Sequence, residues 1–315
     1  MEISPERFVY QHNGVRICYQ TFGSNTDDAI FLLAGGSQSM LSWSEDFIQL
    51  LNTPSHPHFV IRYDNRDTGR STCYPKSTDE TSKYPMNGKA DYTINDLADD
   101  ALAILDDIGI EKAHFVGFSL GGGIAYLIAG QKAPQRVKSI SLLSTTPVGP
   151  SPRPEDNLPG IVPSLSEKLQ ACPIPKDWHN VEEVVKFFLY FHRCMSYITP
   201  SENEEAEVTN LSERVFERAE VNGTEVGTFF NQAGAAHVPW PRAALGGVVC
   251  PAVVIHGRYD QNVPLPHGEA VHKEIPGSRF VVLEDTAHEL PRRVWPVVVD
   301  CIFDVIDAGT MSESS

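Results

Sequence analysis

Short apolar runs rich in β-branched residues alternate with helix-periodic stretches along the first half of the chain. Residues 29–34, 59–63, 113–117 and 137–143 are predicted strands, and residues 94–108 and 121–132 predicted helices. The strand runs are apolar on both sides rather than alternating, which is the pattern of a parallel sheet covered by helices on both faces. Near the start, residues 8–11 and 15–21 predict an antiparallel hairpin turning at Asn13-Gly14, so the sheet is expected to be mixed. The pattern changes after Thr146. A proline-rich stretch (Pro147, Pro150, Pro152, Pro154, Pro159, Pro163) leads into amphipathic helical patterns around residues 181–195 and 204–221, with no strand-like run between them. Strand character resumes at residues 252–256 and 279–283, and residues 293–308 predict a last helix. The expected organisation is an α/β core, residues 1–146 and 248–315, interrupted by a helical cap at 147–247.

Where the third of those apolar runs meets the next helix stands Gly117-Phe118-Ser119-Leu120-Gly121. A serine between two glycines at a strand-to-helix turn is the pattern of a nucleophile elbow, in which the backbone is bent sharply and the hydroxyl held out for attack. A serine hydroxyl is a weak nucleophile at neutral pH and needs a histidine to take its proton, which in turn needs a carboxylate to fix its tautomer. In an open α/β sheet both should follow later strands. Asp260 follows the run at 252–256, and His288 follows the run at 279–283. The strand ending near Ser144 is another place for the acid, but Thr145, Thr146 and Pro147 follow it, with no carboxylate before Glu155. Glu284, Asp285 and Glu289 are read as loop carboxylates facing water, and the histidines at 12, 56, 58, 179, 192, 267 and 272 as surface or internally satisfied side chains.

The tetrahedral intermediate of acyl transfer also needs backbone N–H donors. Leu120, next after the serine, is one candidate, and Gly36, in the Gly35-Gly36 loop after the run at 29–34, is the other. Expected substrate contacts are Gly35, His237 where the insertion returns to the core, and Phe187 and Phe191 within it. Of the neighbouring aromatics Phe187, Phe188, Tyr190 and Phe191, at least two should be core, because four such positions cannot share one helical face.

Composition removes other classes. Twenty-five Lys and Arg against 41 Asp and Glu leave a net charge of −16, which repels nucleic acid and anionic lipid surfaces. Part of that acidity, at residues 201–207, has capping-box spacing between Ser201 and Glu204 and reads as a solvated helix start. The opening residues lack a basic segment followed by an apolar one, and no run approaches a membrane span, so a cytoplasmic location is expected. Six scattered cysteines without C-x-x-C pairs point to free thiols rather than a zinc site, and the chemistry above calls for no metal or organic cofactor.

Taken together, the elbow, the Asp260 and His288 loops, the Gly35-Gly36 loop and the turn at residues 63–71 resemble the α/β-hydrolase superfamily. Residues 61–72, and Pro266-His267-Gly268 running on to Ile275-Pro276-Gly277, are similar to the aclacinomycin methylesterase group, which hydrolyses a methyl ester on an aromatic polyketide. The resemblance implies Ser119, Asp260 and His288 as the triad, Gly36 and Leu120 as oxyanion donors, and structural rather than catalytic roles for Asp64 and Arg66. It implies a small-molecule ester as substrate. A thioesterase releasing a chain from an acyl carrier protein and a non-hydrolytic cyclase or binding protein remain alternative uses of the same residues. An aspartate-nucleophile enzyme is disfavoured by the serine at 119 and the lack of proline after Gly36.

Overall fold

A computed structural model describes residues 1–75, 92–149, 151–233 and 240–313. Eight strands form one sheet in the order β1-β2-β4-β3-β5-β6-β7-β8: β1 (Arg7–Tyr10), β2 (Arg16–Phe22), β3 (Asp28–Leu33), β4 (His58–Tyr63), β5 (Ala113–Phe118), β6 (Val137–Leu143), β7 (Ala252–Gly257) and β8 (Arg279–Leu283). β2 runs antiparallel to both its neighbours, and every other pairing is parallel. The first hairpin does not use a two-residue turn. Tyr10 pairs with Arg16, Gln11 N–H donates to the Val15 carbonyl, and Gly14, not Asn13, takes the positive φ.

The continuous apolar runs follow from burial of both sheet faces. In β3, Phe31 and Leu33 join one core, while Ile30 and Leu32 join the other. The first core is covered by α2 (Ile94–Asp107) and α3 (Leu120–Leu127), and the second by α1 (Glu45–Leu51) and α7 (Trp295–Glu313). Chain order reverses between β3 and β5, which pair side by side although β3 leads to β4 on the other flank. That reversal opens a crevice at the carboxyl ends of β3 and β5, where ligands bind in open α/β sheets.

Between β6 and β7 lie α4 (Pro163–Gln170), α5 (Val181–Met195) and α6 (Glu202–Val221), with no strand among the described residues. Ser201 and Glu204 form the capping box that starts α6. These helices carry their own core, Trp178, Val184, Phe187, Ala219, Val226, Phe229 and Phe230. They dock through a buried ion pair. Arg218 of α6 donates to Asp64 Oδ2 at 2.7 Å and Oδ1 at 3.1 Å, and to Glu6 Oε1 at 2.8 Å. The Asp64 side chain has no exposed surface, and its oxygens also accept the backbone N–H groups of Met40 and Arg70 at 2.9 Å. Desolvation opposes the charge on Arg218, but the two carboxylates outweigh it and raise its pKa above the ordinary arginine value. Arg218→Ala strands the Asp64 charge and is expected to cost about 3–5 kcal/mol, read as a fall in urea midpoint. A shift within error would show that the pair does not hold the helices to the sheet.

Candidate active site

Ser119 sits between β5 and α3 with φ 51° and ψ −113°, outside the regions a non-glycine residue ordinarily occupies. The backbone is held there from three sides. Ser119 N–H donates to the Leu143 carbonyl at 2.8 Å, and its own carbonyl accepts from Thr145 Oγ1 at 2.7 Å and Gly122 N at 3.0 Å. Both flanking glycines are required by space. A Cβ on Gly117 would lie 2.3 Å from the Gly121 carbonyl oxygen, and one on Gly121 would lie 2.2 Å from that of Leu33, so only a chain without side chains here lets α3 start directly above β3.

Asp260 lies in the loop after β7 and His288 in the loop after β8. The Asp260 side chain is buried; Oδ1 accepts from the amides of Asn262 at 2.9 Å and Val263 at 2.7 Å, and Oδ2 accepts from His288 Nδ1 at 2.7 Å. His288 Nε2 lies 3.2 Å from Ser119 Oγ. With Nδ1 donating to a carboxylate, the Nε2 lone pair faces the hydroxyl, the orientation needed to take its proton. Phe118 backs the imidazole, with ring centroids 5.1 Å apart.

Sequence reasoning missed His256, one residue from the end of β7. It is fully buried, its Nε2 donates to the Val263 carbonyl at 2.7 Å, and it stands 3.6 Å from Asp260 Oδ2. Burial lowers its pKa and keeps it neutral, so it stiffens the turn that presents Asp260 without competing as a cation for the carboxylate. The only signal in the chain was its spacing, four before the acid.

Gly36 is exposed and adjoins the elbow; a Cβ there would lie 3.8 Å from Leu120 Cδ2. Leu120 opens α3, where the first amides of a helix lack intrahelical acceptors. The two candidate oxyanion donors are therefore neighbours in space. Ser37, next along, has φ 64° and is pinned by Gln232, whose Oε1 accepts Ser37 N–H at 2.7 Å and whose Nε2 donates to the Arg66 carbonyl at 2.7 Å. Gln232, far along the chain, carried no sequence signal.

The expected substrate contacts fare differently. Gly35 N–H is committed to Gln38 Oε1 at 3.1 Å within its own loop, which removes it as a ligand donor. Phe187 is 3% exposed and packs against Trp178, Phe229 and Phe230, so it belongs to the core of the inserted helices rather than to a pocket wall. Phe191 is partly exposed and stacks on Phe187 at 6.1 Å. His237 lies outside the described residues. A small cavity between the inserted helices and the sheet, touching Ser37, Thr68, Phe188 and Phe229, does not reach Ser119 or His288.

Among the rival carboxylates, Glu284 pairs with Arg258 at the surface and Asp285 is exposed. Glu289 does not face water as expected. Its side chain is 7% exposed and accepts from Arg293 at 2.8 Å and from the Tyr197 amide at 3.0 Å, because the segment after α5 folds over it. A second serine, histidine and aspartate also meet, at the opposite end of the sheet: His114 Nδ1 lies 2.7 Å from Ser139 Oγ and Nε2 3.1 Å from Asp28 Oδ2. Ser139 is 1% exposed within β6, so no ester can reach it. Among the described residues no group of three or more His, Cys, Asp or Glu can hold a metal ion, and no helix is long and apolar enough to cross a membrane.

Comparison with known proteins agrees with this architecture. Rhodomycin D methylesterase DauP of Streptomyces sp. (strain C5) is 29% identical over 294 residues, covering 89% of this chain and 91% of that protein. Rhodomycin D methylesterase DnrP of Streptomyces peucetius is 29% identical over 304 residues, covering 92% and 94%. Among solved structures, the esterase EaEST of Exiguobacterium antarcticum superposes with a TM-score of 0.72 at 18% identity, over 95% of this chain and 98% of that one, a likeness of fold. The family profile described as the alpha/beta hydrolase fold matches residues 28–291, from the first residue of β3 to just past His288, and the chain belongs to that family.

Proposed function

We propose that this enzyme hydrolyses carboxylic esters through an acyl-enzyme, with Ser119 as nucleophile, His288 as general base and Asp260 as its orienting partner. The hydrogen-bonded chain from Ser119 Oγ through His288 to Asp260 carries the reading. In the first half-reaction Ser119 Oγ attacks the ester carbon while its proton passes to His288 Nε2. The amides of Gly36 and Leu120 receive the oxyanion, and His288 returns the proton to the departing alkoxide as the carbon–oxygen bond breaks. In the second, a water gives its proton to His288 and adds to the acyl carbon, and Ser119 leaves protonated as the free acid forms. Residues 147–247 act as the cap that closes the acyl site.

The substrate is a methyl ester on a bulky, largely apolar, polyketide-like acid. Two rhodomycin D methylesterases, matching this chain over almost its full length, support that choice. Contacts to the acyl group far from the carbonyl position it over Ser119, so such an ester is expected to exceed p-nitrophenyl acetate in kcat/KM by about 10²-fold or more. Single-turnover assays on the methyl ester, the matching N-acetylcysteamine thioester and the carrier-bound acyl group test this. Preference for the carrier-bound group would make the enzyme a chain-releasing thioesterase, and a cyclised product formed without acyl-Ser119 would make it a cyclase.

A further inference from the structure

The residue after the general base is tied to the inserted helices. Glu289 Oε1 accepts the backbone N–H of Tyr197, in the segment between α5 and α6, at 3.0 Å. The same oxygen accepts from Arg293 Nη2 at 2.8 Å, and Arg293 also donates to the Asp285 carbonyl at 2.6 Å. One guanidinium thus spans the loop from Asp285 to Glu289, with His288 inside it. A second tie reaches the acid. The Tyr197 ring stacks on Tyr259, with centroids 4.2 Å apart and planes 8° apart, and Tyr259 immediately precedes Asp260 and donates its N–H to the Thr286 carbonyl at 3.0 Å. Tyr197 therefore touches both loops that carry His288 and Asp260. Both residues are more than 40% exposed, at 43% and 44%, so the stack stands at the surface seam between insertion and core rather than in either interior.

We propose that Glu289 is a positioning residue, which fixes the reach of His288 toward Ser119 by clamping its loop to the Tyr197 segment, with the Tyr197–Tyr259 stack as the second arm of the same clasp. This rests on the reading of Ser119, His288 and Asp260 as the triad. His288 Nε2 is already at the long end of a hydrogen bond to Ser119, so a small outward drift of the loop breaks it. A displacement of about 1 Å costs on the order of 10²-fold in rate. A carboxylate placed there only to anchor the insertion would affect substrates that the insertion touches and nothing else.

The test uses the full chain and a small fluorophosphonate, which reports how well His288 activates Ser119 without needing contacts from the insertion. Wild-type labelling at Ser119, absent in Ser119→Ala, establishes the triad reading; no labelling there would overturn that reading itself. Given labelling, Glu289→Ala is expected to slow it by about 10–100-fold and to lower kcat on a methyl ester by a similar factor, with KM nearly unchanged. Glu289→Gln, whose amide oxygen still accepts the Tyr197 N–H, should restore most of the rate. Tyr197→Pro removes that N–H from outside the loop and Tyr197→Ala keeps it, so the proline variant should be the slower of the two even if Glu289→Ala fails to fold. Labelling at the wild-type rate in Glu289→Ala, or in Tyr197→Pro, would overturn the proposal, as would a defect confined to KM.

Discussion

Ser119→Ala is expected to lower kcat on any carboxylic ester by about 10⁶-fold, the scale on which a serine nucleophile and its histidine act as one unit. The loss should be complete for labelling by a fluorophosphonate, since no acyl or phosphonyl acceptor remains at the crevice between β3 and β5. Ser139→Ala is the informative control. Ser139 also has a histidine and an aspartate in line, yet it is buried within β6 where no ester reaches it, so its removal should leave labelling and turnover unchanged. Ser119→Gly adds a second readout. At φ 51° the serine pays for its Cβ in backbone strain, of order 1–3 kcal/mol for such positions, and glycine relieves it. The glycine variant should therefore be inactive and at least as stable as the wild type. Labelling that survives Ser119→Ala, or a glycine variant that unfolds more easily, would show that the elbow is not a strained nucleophile.

What could be read in the sequence and what could not divide along physical lines. The strands were legible because burial of both faces writes continuous apolar runs, and the predicted 137–143 and 279–283 coincide with β6 and β8. The residues now meeting at Ser119 were legible because their chemistry needs a particular type at a strand end: a serine between glycines, a carboxylate, a histidine. Phe187 was not, because helical spacing shows that an aromatic face is buried without showing what it is buried against; here Trp178 and Phe229 supply the partner. Arg218, Gln232 and Glu289 were illegible for a related reason. Each meets a group far away in sequence, at Asp64, Ser37 and Tyr197, and a lone charge or amide on a polar surface has no pattern that names its partner. His256 was closer to reach, since a histidine four before the acid across a tight turn can only fold back on that turn.

Asp260→Asn is expected to leave the fold intact and lower kcat by about 10⁴-fold, the effect of the comparable change in an unrelated serine protease. The geometry gives the reason. The amides of Asn262 and Val263 both donate to Oδ1, so the asparagine must turn its carbonyl oxygen toward them and its NH₂ toward His288. That NH₂ donates where the carboxylate accepted. His288 is then held with its lone pair at Nδ1 and its proton at Nε2, facing Ser119 Oγ, and a protonated Nε2 cannot act as base for the hydroxyl. Neither the two turn amides nor the His256 bond to Val263 is disturbed, so thermal stability should change little, separating a wrong tautomer from a broken loop. Fluorophosphonate labelling should slow with kcat, because both need the same proton transfer. Asp285→Asn, at an exposed carboxylate of the neighbouring loop, should retain wild-type turnover. If Asp260→Asn kept activity within about tenfold while Asp285→Asn lost it, the orienting acid would be Asp285, and the buried carboxylate beside His288 would serve only to close the turn after β7.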